Sequence, residues 1–187
     1  MLPNTVEGAV LTRRRDEAQT FDYGVGYLWG FKARDSSYFQ SFSNELGVKQ
    51  DRGVLAAGLK VVPIAGLTLG AINYLIPDTL NTTFAEADWL IRTGPLQFRV
   101  SANYTDQRTV GTDLIAGAPY ATSQVAARFA ASYTNVTLMV ASSMNDDGAA
   151  LQGPFGSFPA YTVLDQLVGE VLTVVDEIVD NGRLGQG

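Results

Sequence analysis

Along most of the chain apolar and polar residues alternate one by one, the period of a β-strand whose two faces meet different surroundings. From Phe21, one face would carry Phe21, Tyr23, Val25, Tyr27, Trp29 and Phe31, and the other Asp22, Gly24, Gly26, Leu28, Gly30 and Lys32. Leu96, Phe98, Val100, Ala102 and Tyr104 alternate with Gln97, Arg99, Ser101, Asn103 and Thr105. Val125, Ala127, Phe129, Ala131 and Tyr133 alternate with Ala126, Arg128, Ala130, Ser132 and Thr134. Leu55, Ala57, Leu59 and Val61 stand against Ala56, Gly58 and Lys60, and Ala85, Ala87, Trp89 and Ile91 against Glu86, Asp88 and Arg92. With Leu67 to Ile76, Val136 to Ser143 and a lead strand near Glu7 to Thr12, the pattern predicts about eight strands.

The connections alternate in length. Short links are predicted at Arg15 to Gln19, Pro63 to Gly66, Gly94 to Pro95 and Asn135, and longer ones at Arg34 to Arg52, Pro77 to Thr82, Gln107 to Ser123 and Met144 to Tyr161. An up-and-down membrane barrel has this form, with tight turns at one end and long loops at the other, and spans its bilayer with tilted strands of ~9–11 residues. The uncharged run from Val61 to Pro77 is nearly long enough for a membrane helix, but Pro63 would break it, and Pro63 to Gly66 reads as a turn between strands.

The tail changes period. Leu164, Leu167, Val168, Val171, Leu172, Val175, Ile178 and Val179 fall at helical spacings among Asp165, Glu170, Asp176 and Glu177, so Val163 to Asp180 is predicted to be an acidic amphipathic helix. The expected division is residues 1–162 as β-sheet and 163–187 as a helical tail.

Composition narrows the function classes. The 187 residues contain no Cys and no His, which removes thiolate and imidazole nucleophiles and nearly every zinc or haem site. No nucleophile and base pair is visible, so no enzyme, cofactor or metal is predicted. With 13 Lys and Arg against 19 Asp and Glu, the net charge of -6 argues against a nucleic-acid partner. Met1-Leu2-Pro3-Asn4 lacks the basic start and apolar run of an export signal, so an exported form is expected to begin further upstream.

The residues then resemble a known family. Gly26-Tyr27-Leu28-Trp29, Lys32-Ala33-Arg34-Asp35-Ser36, Phe39 and Leu46-Gly47-Val48 resemble a strand, turn and loop of OprD-type porins. Gly58-Leu59-Lys60, Pro63, Gly66-Leu67, Asp78, Asn81 and Ala85-Glu86 continue the likeness in order. Asp106-Gln107, Val110-Gly111, Asp113-Leu114, Gly117, Gln124, Pro154-Phe155-Gly156, Pro159 and Tyr161-Thr162 extend it over roughly Gly8 to Thr162. The resemblance implies a bacterial outer-membrane barrel of about eighteen strands, with a narrow pore where a basic ladder faces acidic groups. It implies passive diffusion of small amino acids, peptides or carboxylates, with outer-membrane lipid and the solute as partners. The chain departs from the family in extent: about half the strands are present, and the acidic tail stands where a further strand is expected, as in a fragmentary or frameshifted reading frame. Nothing in the sequence sets an oligomeric state.

On this reading the fold is all-β, an antiparallel up-and-down sheet forming part of a large transmembrane barrel. Charges on the face away from lipid are the candidate pore-lining groups: Lys32, Lys60, Glu86, Asp88, Arg92, Arg99 and Arg128. A charge facing hydrocarbon at mid-membrane costs ~2–4 kcal/mol and one facing water costs little. Tyr23, Tyr27, Trp29, Phe31, Trp89, Tyr104 and Tyr133 are candidate membrane-interface aromatics, whose rings have both apolar and wet neighbours. Leu114 to Tyr120 and Gly148 to Gly156 are candidate inward-folding loops. The competing architecture is a soluble β-rich module holding an apolar ligand, which requires the same aromatic residues to be buried. Asn145-Asp146-Asp147-Gly148 lacks the spacing of a calcium loop, and Glu86 with Asp88 lacks the opposed geometry of a glycosidase pair.

Overall fold

A computed structural model describes residues 5–13, 20–32, 36–112, 115, 119–146 and 151. The predicted helix at Val163 to Asp180 and most of the Gly148 to Gly156 loop lie outside these residues. The described chain forms eight strands: β1 Thr5–Arg13, β2 Phe21–Lys32, β3 Val54–Ile64, β4 Leu67–Ile76, β5 Leu80–Thr93, β6 Leu96–Thr109, β7 Ala121–Tyr133 and β8 Val136–Asn145. They pair in sequence order in a single sheet, every neighbour antiparallel. A one-turn helix, α1 Phe42–Glu45, sits in the connection from β2 to β3.

Three described connections at one end are two-residue turns: Ala65-Gly66, Gly94-Pro95 and Thr134-Asn135. Gly66 has φ +83°, and a Cβ there would lie 2.2 Å from the Leu90 carbonyl oxygen. Only glycine therefore allows the β3–β4 turn to approach β5, where Leu90 N–H donates to the Gly66 carbonyl at 2.8 Å. Pro63 lies inside β3 and not in the turn, at a slip of register between Val61 and Ile64, where its missing N–H costs no ladder bond. At the opposite end the Pro77 to Thr79 link is shorter than predicted, because β5 begins at Leu80; β5 and β6 each run for 14 residues.

The register sorts side chains onto two faces. The aromatic face shows Phe21, Tyr23, Val25, Tyr27, Leu55, Leu59, Leu69, Trp89, Val100, Tyr104, Val125, Phe129 and Tyr133, all exposed. The opposite face holds the small, polar and charged residues, together with one apolar cluster at the end with the longer links. That cluster contains Leu28, Phe31, Phe42, Val54, Tyr74, Ile76 and Leu80. The main buried core of the described residues is thus built between the sheet and the β2–β3 connection, while no described residue outside the sheet covers the broad aromatic face.

A second irregularity, on β2, reverses the alternation of the residues that follow it. Glu7 pairs with Gly30 and Gly8 with Leu28, leaving Trp29 as an extra residue on β2. Beyond this bulge the faces exchange. Phe31, predicted among the interface aromatics, turns to the other face and is only 4% exposed, with its ring 5.6 Å from that of Phe42. Lys32, predicted among the pore-lining charges, pairs with Thr5 in the row of β1 that continues with Ala9 and Leu11. Its ammonium lies 5.4 Å from the centre of the Phe39 ring. Both corrections have the same cause: one inserted residue reverses every side chain after it.

Thr134 occupies φ +51° in the β7–β8 turn, a left-handed conformation that a β-branched residue enters at a cost of ~1–2 kcal/mol. Thr134→Gly should raise the stability of the refolded sheet by about 1 kcal/mol, measured as a higher urea midpoint with an unchanged slope.

Candidate functional site

The charged side chains of the strands are segregated by position. Asp22, Lys60, Glu86, Asp88, Arg92, Arg99 and Arg128 share the face opposite the exposed aromatics, following the pairings Asp22–Lys60, Lys60–Gly70, Gly70–Glu86, Asp88–Ser101 and Ser101–Arg128. Six of the seven residues predicted for this face from the sequence are thereby brought onto it, and Lys32 is not. Asp22 joins them, and its even position among Gly24 and Gly26 was the available signal. On the aromatic face, charges in the described strands stand toward strand ends, at Glu7, Arg13, Lys32, Asp106 and Arg108.

The extent of the uncharged band can be read on β6. From Leu96 to Tyr104 its outward positions are apolar or aromatic, a stretch of ~26 Å along the strand, comparable to the ~25 Å band of a membrane barrel once tilt is included. The band then stops at Asp106 and Arg108, which form an ion pair at 2.6 Å. On β4 and β5 it stops at Asn73, whose amide donates to Asn81 Oδ1 at 2.8 Å and to Thr83 Oγ1 at 2.9 Å. Of the predicted interface aromatics, Tyr27, Trp29 and Tyr104 stand toward this polar end of their strands. Tyr23, Trp89 and Tyr133 stand toward the tight turns. All six are exposed, Trp29 at 49% and Trp89 at 43%.

Within the charged face the groups form a short network. Arg99 Nε donates to both oxygens of Asp88, at 3.0 and 2.8 Å, and Ser101 Oγ donates to Asp88 Oδ2 at 2.6 Å. Arg128 Nη2 donates to Ser101 Oγ at 3.4 Å. Arg99 lies diagonally from Asp88, because the register sets Leu90 opposite Arg99. Asp88 thus aims two guanidinium groups along one side of the face. Their side chains keep access to solvent, 44% for Arg99, so the network presents positive charge to a passing group.

A second, uncharged polar group lies nearer the longer links. Gln107 Nε2 donates to Thr82 Oγ1 at 3.0 Å, and the Tyr120 hydroxyl donates to Gln107 Oε1 at 3.0 Å. Tyr120 and Ile115 pack against the apolar cluster, so these two members of the predicted Leu114 to Tyr120 loop do turn onto this face.

The main inward connection was not predicted. The β2–β3 link folds over the same face through Phe42, fully buried in the cluster, and bridges Phe31 to Gln40 by two backbone hydrogen bonds of 2.8 and 2.9 Å. Ser41 caps α1 by accepting from Asn44 N–H at 3.2 Å. Ser43 Oγ donates to the Gln50 carbonyl at 2.5 Å and accepts from Arg52 N–H at 2.8 Å, closing the loop on itself. Arg52 then pairs with Asp78 at 2.9 Å, tying the loop to the β4–β5 link. A four-residue helix leaves no periodic trace in sequence, and Phe42 stands out only once its pocket is known.

Among the described residues no group of three or more acidic, Cys or His side chains could hold a metal ion. No helix among the described residues is long and apolar enough to cross a membrane.

Phe42→Ala should remove ~3–5 kcal/mol of local packing and release the β2–β3 link. Trypsin should then cut the variant much faster after Lys49 and Arg52, while the far-UV β signal is retained; unchanged cleavage would show that the hydrogen bonds of Ser43 alone hold the loop.

No protein-family model matches the sequence, and none of the curated proteins matches it at a significant level. Solved structures do match. The OccK2 (OpdF) structure of Pseudomonas aeruginosa superposes with a TM-score of 0.69 at 17% identity, covering 80% of this chain and 40% of that one. OpdK of the same organism, solved with vanillate, gives a TM-score of 0.68 at 18% identity over 81% of this chain and 40% of its own. OccAB2 of Acinetobacter baumannii gives 0.65 at 20% identity over 81% and 39%. These neighbours are outer-membrane porins of the OprD/Occ type, and the eight strands share their fold. The chain spans about 40% of the length of these structures.

Proposed function

We propose that this sheet is part of the wall of an outer-membrane diffusion channel of the OprD type, with the aromatic face against lipid and the charged face lining the lumen. One observation carries the reading: away from the strand ends the charges gather on one face, while the other exposes a continuous apolar and aromatic surface bounded by polar residues at the longer links. In a soluble module that surface would have to be buried, and Tyr23, Tyr27, Trp29, Trp89, Tyr104 and Tyr133 are exposed instead. Exposed apolar patches on soluble monomers rarely exceed a few hundred Å².

The lumen would carry Arg92, Arg99, Arg128 and Lys60 as cations, with Glu86, Asp88 and Asp22 as acids. Such an arrangement orients a small charged solute by its field without chemical change. Structures with the same fold hold glucuronate and vanillate, both carboxylates, which supports passage of small carboxylates, amino acids or peptides beside the exposed Arg99 and the half-buried Arg128. The β2–β3 loop would narrow the bore from one end.

The two tryptophans of the chain, Trp29 and Trp89, both stand on the aromatic face. In lipid vesicles their emission should shift to the blue, be quenched by bromine-labelled acyl chains and be insensitive to aqueous iodide. Quenching by iodide instead would place this face in water and sink the assignment. For transport, vesicles carrying the refolded chain should swell in both glucose and glucuronate. Arg128→Glu should slow glucuronate several-fold and leave glucose unchanged; an equal change for both solutes would remove any role for charge, and no swelling would remove the channel.

A further inference from the structure

An open hollow of about 350 Å³ interrupts the charged face between β1 and β5. Its floor is nearly bare main chain, because Gly24 lies opposite Gly58 and Gly26 opposite Ala56. Leu28, Ile72 and Phe84 stand around it as apolar walls. At its other rim are the side chains of Asp22, Lys60 and Glu86. Asp22 is directly opposite Lys60, and Lys60 is opposite Gly70, which in turn is opposite Glu86. A Cβ on Gly70 would fall 2.6 Å from Glu86 Oε1, so the carboxylate of Glu86 lies over Gly70, on the side toward Lys60. One cation and two carboxylates therefore share one rim, beside a peptide floor and an aromatic wall.

We infer that this hollow is a binding subsite for zwitterionic solutes with an apolar body of about one ring, of the α-amino acid type. The inference rests on the lumen assignment above and adds a specificity to it. The volume is near the lower end of small-molecule sites, ~300–1,000 Å³. Glycine at the floor lets a flat group approach the peptide planes closely, and Phe84 with Ile72 covers its edge. The mixed rim sets the head group. A lone anion there meets like-charge repulsion from Asp22 and Glu86, and a lone cation meets it from Lys60. A solute bearing both charges can turn its ammonium to the acids and its carboxylate to Lys60. The arginine network at Asp88, Arg99 and Arg128 lies outside the lining of the hollow.

The test uses three probes of one shape: L-phenylalanine, 3-phenylpropionate and 2-phenylethylammonium, titrated into the full chain refolded in non-ionic detergent micelles. L-Phenylalanine should bind at least about tenfold more tightly than either singly charged probe. Gly58→Leu should abolish its binding. A Cβ at Gly58 meets no atom nearer than 3.4 Å, so the side chain can fill the hollow without moving backbone. Should that variant not fold, Gly58→Ala, with a proportionally smaller loss, reads the same site. Lys60→Met should bring L-phenylalanine down toward the ammonium probe. Equal binding of all three probes, no binding, or discrimination unchanged in Gly58→Leu would overturn the subsite. If this occurs while vesicles still swell, the channel stands without it; discrimination in micelles without swelling leaves the subsite and removes the channel.

Discussion

A peptide backbone placed against hydrocarbon must find every hydrogen-bond partner within the protein, since an unsatisfied N–H or C=O there costs several kcal/mol. The ladder meets this demand for β2 to β7, which have a paired neighbour on each side, and the rest of the molecule follows from it. Once each strand is fixed beside its neighbours, side chains have only two directions to take. A residue's chemistry is then decided by its parity and register. This explains how a chain with a net charge of -6 and no polar cover on its aromatic face can be ordered: the charges stay off the middle of that face.

Deviations from the ladder are where the structure acquires its particular features. The extra residue at Trp29 releases the end of β2 from β3, whose pairing stops at Leu28 with Val54, and frees Phe31 to pair with the loop at Gln40. The loop is thereby drawn over the charged face, and Phe42 finds its place beside Phe31. The small residues of β2 to β4 act in the opposite sense. They keep one stretch of the wall thin, while the arginines of β6 and β7 project where the wall is thick. Inward loop, hollow and charged row are three local outcomes on a common backbone, the first of an inserted residue and the other two of side-chain size.

Much of this was legible in the sequence, because strand periodicity is carried by each residue's own polarity. Arg99 among Gln97, Ser101 and Asn103, and Arg128 among Ala126 and Ala130, announce both strand and face. What could not be read was whatever depends on two strands at once. The bulge exists only through the pairing of Glu7 and Gly8 with β2, so Phe31 and Lys32 were assigned to the wrong sides. The contact of Arg99 with Asp88 depends on a diagonal register, and the burial of Phe42 on a loop returning across its own strand. The Asp22–Lys60–Gly70–Glu86 row likewise appears only when four strands are aligned.

The two-residue turns at one end carry an evolutionary consequence. Because a hairpin contains two strands, copying or deleting one returns the chain to the same end of the sheet with every other residue still on its original side. Each such event would alter the circumference by about two strand spacings, ~10 Å, leaving neighbouring strands nothing to relearn. In a barrel of this fold, circumference can thus drift by duplication in whole hairpins, while the long connections at the far end vary independently.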